Sequence, residues 1–104
     1  MYRAQFLTMS LTSFTYSNVN FRKYGGERLV NVQGEVTNSS ERAFNTAAFR
    51  INIFAQGVIA WTGVFKVRNL RKGQTRAFEL ALDGAAPGLA AKITKYEICF
   101  ESGY

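Results

Sequence analysis

Five cations crowd one short stretch of this chain: Lys66, Arg68, Arg71, Lys72 and Arg76. Cations at that density attract phosphates or acidic surfaces, and the attraction weakens steeply with salt. Lys66 and Arg68 alternate with Phe65 and Val67, so they share the outer face of a strand. Arg71 and Lys72 follow in a loop, and Arg76 opens the next strand. A hairpin there brings all five to one end of the domain, with Lys92 or Lys95 nearby. This is the candidate site for nucleic acid or another polyanion. Stacking of bases also needs exposed aromatics near the charges, and Phe54, Tyr16 and Tyr24 are the candidates. Two plainer uses of the same charges compete. Cations on an edge strand keep sheets from joining edge to edge, and a net charge of +6 favours solubility.

Other chemistry is sparse. The chain has no histidine, which excludes histidine triads, histidine acid–base work and histidine metal sites. Cys99 is the one cysteine, so neither an internal disulfide nor a thiolate zinc site can form. Glu97, Cys99 and Glu101 share a strand face. Two carboxylates beside a thiol raise its pKa and blunt its reactivity, so an outer strand face is the simpler reading. Gly25-Gly26 and the Gly84–Gly88 segment lack the lysine and the strand-to-helix setting of a phosphate loop. No catalytic residue, metal or cofactor is expected, and the chain reads as a non-enzyme. Asn38-Ser39-Ser40 fits a glycosylation acceptor and equally a turn closed by its own side chains. Trp61 reads as a core residue, with sugar stacking as the alternative.

The elements that position these residues are strands. Val30, Val32, Gly34 and Val36 alternate with Asn31, Gln33, Glu35 and Thr37 over about residues 28–37. Gly34 within that run marks a bulge or a close neighbour, Trp61 or another aromatic. Over 46–55, Phe49, Ile51 and Ile53 point inward and Phe54 outward, where an aromatic marks contact with a partner, a second copy or the N-terminal segment. Gln56-Gly57 is a tight hairpin turn. Over 58–69, Ile59, Trp61, Gly63, Phe65 and Val67 read as the inner face. Phe78, Leu80 and Leu82 line a strand over 75–82, and Tyr96, Ile98 and Phe100 one over 93–101, after a short helical turn at 89–92. The first strand is expected over 6–16, with a bulge near Thr12–Ser13 where the apolar register moves to Phe14 and Tyr16; Val19 and Phe21 extend it or begin a loop, and Tyr24-Gly25-Gly26 is a turn. Short strands at this spacing predict a single domain over 1–104. Its fold class is all-β, an immunoglobulin-like β-sandwich of two antiparallel sheets with about seven strands. No apolar run is long enough to span a membrane, and the N-terminus lacks the apolar centre of a signal peptide.

Three segments together resemble a known family. A glycine-containing strand ends in Val36, Asn38 and Ser40; Ile51, Ile53, Phe54 and Ala55 follow in the next strand; Leu70, Gly73 and Phe78 come later. That order is similar to the FxLYD family of prokaryotic immunoglobulin-like domains, over roughly Leu11 to Phe100, although Ile51 and Ala55 depart from its name motif. The resemblance implies a bacterial, non-catalytic module without a shared ligand. With that resemblance and a removed signal the expected place is extracytoplasmic; otherwise it is cytoplasmic. The leading expectation is an interaction or structural module that meets a protein partner or a second copy through a sheet edge or face, Phe54 included. Polyanion binding through the basic stretch is the alternative.

Overall fold

The computed structural model describes residues 14–24, 29–86 and 88–104. Six strands appear among them: β1 (Phe14–Tyr24), β2 (Leu29–Asn38), β3 (Phe44–Ala55), β4 (Val58–Leu70), β5 (Thr75–Ala81) and β6 (Lys95–Gly103). They form two three-stranded sheets, β1-β2-β5 and β4-β3-β6, with every pairing antiparallel. The chain is an all-β sandwich. A 3-10 turn at Leu89–Lys92 matches the expected helical turn.

Alternation decides which faces meet. Val32, Val36, Phe49, Ile51, Ile53 and Leu70 are fully buried between the sheets. Each such side chain stabilises the fold by about 1.5–3 kcal/mol relative to exposure. Aromatic rings join the layers: Phe65 stacks on Phe78 at 4.1 Å and Phe14 on Phe100 at 4.8 Å. These contacts place β5 against β4 and β1 against β6. Gly34 does mark a close approach, by Phe78 and Val19 rather than Trp61; a Cβ there would lie 2.8 Å from the Phe78 ring.

Several boundaries differ from expectation. β1 runs to Tyr24, so Val19 and Phe21 lie within it. The anticipated bulge near Thr12–Ser13 and the Gly25-Gly26 turn lie outside the described residues. A register shift does occur in β1, between Ser17 and Asn20, with Asn18 at φ 53. Asparagine tolerates that left-handed backbone better than most residues. The β3–β4 turn is a two-residue hairpin loop with Gln56 and Gly57 both at positive φ, the geometry that matches strand twist.

Two further register shifts shape sheet β4-β3-β6. Ile53 faces Trp61 but Phe54 faces Ile59, so Ala60 is an extra residue in β4. Phe49 faces Phe100 but Ala48 faces Ser102, so Glu101 is an extra residue in β6. An extra residue reverses the alternation beyond it. Ile59, expected inside, therefore shares the outer face with Phe54 and is 54% exposed.

Candidate functional site

The connection from β4 to β5 is not a hairpin within one sheet. It crosses the sandwich, because β4 and β5 belong to different sheets. The five cations are therefore divided. Lys66 and Arg68 stand on the outer face of β4-β3-β6, in register with Ala48 and Thr46. Arg71 and Lys72 lie in the crossing loop. Arg76 pairs with Val36, on the inward-facing row of β5, and is exposed at the sheet edge. All five remain at the same end of the sandwich, but they do not form one face. Lys72 is engaged by Glu41 at 2.9 Å. Lys66, Arg68, Arg71 and Arg76 have no carboxylate partner among the described residues. Lys95 is not near them: it pairs with Phe54 at the opposite end.

Asn38 builds this end. Its side chain is fully buried and donates from Nδ2 to the carbonyls of Arg42 (2.7 Å) and Leu70 (3.1 Å). Its Oδ1 accepts from the backbone N–H of Ser40 (2.9 Å) and from the Ser40 hydroxyl (2.6 Å). Its main chain bonds to Gln74 and Gly73. One amide thus ties the end of β2 to both crossing loops. With its Nδ2 buried and committed, Asn38 is a turn residue and cannot take a glycan in the folded state. The same bonds draw in Arg42, a cation that sequence patterns did not select. Its guanidinium lies over the Phe44 ring at 4.9 Å.

The aromatic candidates fall elsewhere. Tyr16 is half-buried against Phe49. Burial, and then the neighbouring Cys99, push its phenol well above the usual range. The Tyr24 side chain lies outside the described residues. Phe54 is on the outer face as expected, at the hairpin end, with the Lys95 ammonium 4.5 Å above its ring. Trp61 points inward but is only half-buried; its ring packs over Gly63 and its Nε1–H donates to the Asp83 carbonyl at 2.9 Å. Among the described residues, the exposed aromatic at the basic end is Tyr104, 72% exposed. It exchanges two backbone hydrogen bonds with Thr46. The extra residue Glu101 turns Ser102 and Tyr104 to the outer face, which unbroken alternation from Phe100 would not do.

Glu97, Cys99 and Glu101 do lie along one edge strand. Burial first, then Glu97 and Glu101, hold the Cys99 thiol above its ordinary pKa. Arg50 takes the Glu101 carboxylate at 2.6 Å. No group of three or more metal-ligating side chains occurs among the described residues, and no described helix is long and apolar enough to cross a membrane.

The outer face of β1-β2-β5 carries an open depression of about 390 Å³ lined by Asn18, Asn20, Gln33, Glu35 and Glu79, among others. Its acids are engaged internally. Glu35 accepts from Asn18 and Ser17, and Glu79 from Asn31 and Gln33, whose donors lower the Glu79 pKa.

Compared with known proteins, the chain matches no family model, no curated protein and no solved structure.

Proposed function

We propose that this chain is a non-catalytic interaction module that binds through the outer face of β4 and its outer edge, which pairs with no other strand among the described residues. The observation that carries this reading is the uncharged half of β4. Val58, Ile59 and Val64 are exposed there, on an edge strand with no charge before Lys66. An outer edge of that composition invites another strand. A second copy of β4 fits it antiparallel about Thr62, which sets Lys66 against Val58 of the second copy. Centring on Lys66 or Arg68 would instead place like charges opposite each other. The meeting of Asn38 with Leu70 and Gly73 at one corner supports an FxLYD-like immunoglobulin-type module, since these residues lie in the segments that resemble that family. Sedimentation velocity over a wide concentration range tests the binding edge. The wild type should gain mass with concentration, with line broadening confined to the amides of 58–66, and an Ile59→Lys/Val64→Lys variant should stay monomeric. A wild type that stays monomeric with sharp β4 signals overturns the edge as the contact.

A second reading, polyanion binding, is favoured at the opposite end of the same face. Lys66 and Arg68 lack carboxylate partners among the described residues, and Arg71 follows them in the loop at the same end. Its signature is affinity that falls steeply between about 50 and about 200 mM salt.

A further inference from the structure

We propose that the basic end of the outer face of β4-β3-β6 is a single-stranded nucleic-acid site, in which Tyr104 stacks a base and Lys66 and Arg68 hold the phosphates. This rests on the polyanion reading and names its ligand.

The geometry is a slot. Three strands run side by side, with Tyr104 and Ser102 on β6 and its extension, Thr46 and Ala48 on β3, and Arg68 and Lys66 on β4. Paired residues in an antiparallel ladder project to the same face. The floor of the slot is therefore Thr46, Ala48 and Ser102, all small. One wall is an aromatic ring and the other a pair of cations. Strands lie about 4.8 Å apart, so the walls stand roughly 10 Å from one another at the backbone. That width accommodates a nucleotide with its base against one wall and its phosphate against the other. Glu101, the acid next to the floor, is held by Arg50 and does not oppose a phosphate.

The aromatic wall decides the ligand class. A duplex presents phosphates but hides its base faces, whereas a single strand offers both. Cations alone would take any polyanion. A ring standing exposed across from them adds an attraction that only an unstacked base can use. Arg71 follows β4 at the same end, in the crossing loop.

The test uses the full chain, with three labelled probes: a twelve-residue oligothymidylate, a duplex of equal length and inorganic polyphosphate. Fluorescence anisotropy is read at about 50 and about 200 mM salt. Oligothymidylate should bind more tightly than duplex. Tyr104→Ala should weaken oligothymidylate about tenfold and leave polyphosphate unchanged. Tyr104→Phe should restore the wild-type affinity. Lys66→Glu/Arg68→Glu should abolish binding of both single strand and polyphosphate. Tyr104 is held in place by its backbone bonds, which alanine retains, so the fold should survive; circular dichroism of each variant checks this. Equal affinity for all three probes, with Tyr104→Ala neutral, overturns the single-strand site and leaves the polyanion reading standing. No binding of any probe at the lower salt overturns both.

Discussion

The two ends of the outer face of β4-β3-β6 are built by the same device and offer opposite chemistry. At the hairpin end the extra residue Ala60 puts Ile59 outside; at the other end the extra residue Glu101 puts Tyr104 outside. Each bulge sits on a strand flanking β3, and each reverses an alternation that would have buried a large side chain. Their neighbours then diverge. Ile59 stands beside Phe54, which is capped by Lys95, and beside an uncharged stretch of edge. Tyr104 stands across a floor of small residues from Lys66 and Arg68. A bulge on an edge strand thus re-aims one side chain, and the charge around it determines what that side chain can bind.

The strongest way to break this comparison is to remove the anchor of the basic end alone. Asn38→Ala leaves the Arg42 and Leu70 carbonyls without their donor and frees the 39–43 loop. Stranding a buried polar group costs about 1–3 kcal/mol, so the variant should lose about 3 kcal/mol in urea denaturation. If it still folds, the basic end should lose affinity for polyanions while association through Ile59 and Val64 persists. A loss below about 1 kcal/mol would mean that water replaces the amide.

The matching perturbation at the hairpin end is smaller. A Cβ at Gly63 would collide with the indole of Trp61. That ring is half-buried on an edge strand, so it can shift outward at the cost of its bond to the Asp83 carbonyl. Gly63→Ala should cost about 1 kcal/mol and move tryptophan emission to the red, with polyanion binding unchanged. An unshifted emission maximum would show that the ring finds room without leaving its bond.

What the sequence made legible follows from what alternation can and cannot say. Val30, Val32 and Val36, then Phe49, Ile51 and Ile53, then Phe65 and Val67 are inside where period-two reading puts them. The need for glycine at position 34 was readable, but Phe78 as its neighbour was not, because that depends on β2 pairing with β5. The basic stretch was readable as a stretch. Its division between two sheets was not, since a crossing loop and a hairpin look alike over 70–75. Ile59 and Tyr104 were hidden for a different reason. Their bulges fall at Ala60 and Glu101, residues with no turn chemistry to announce a slip. Arg42 was hidden because its loop comes to that end through the pairing of β3 with β4, Phe44 opposite Leu70.

Cys99 lies between the two ends, in register with Arg50, and calibrates the electrostatics of the face that joins them. Burial is the largest cause of its raised pKa, with Glu97 and Glu101 adding to it. Only the thiolate reacts with iodoacetamide, so at pH 8 the folded protein should be alkylated more slowly than free cysteine. Glu97→Gln should speed the reaction yet leave it slower than the free amino acid, because burial persists. Arg50→Gln should slow it, since Glu101 would lose the cation that offsets its charge. If Glu97→Gln instead brought the rate fully to that of free cysteine, charge rather than burial would control the thiol. The middle of the face would then be acidic enough to hold a nucleic-acid strand to the Lys66–Arg68 end.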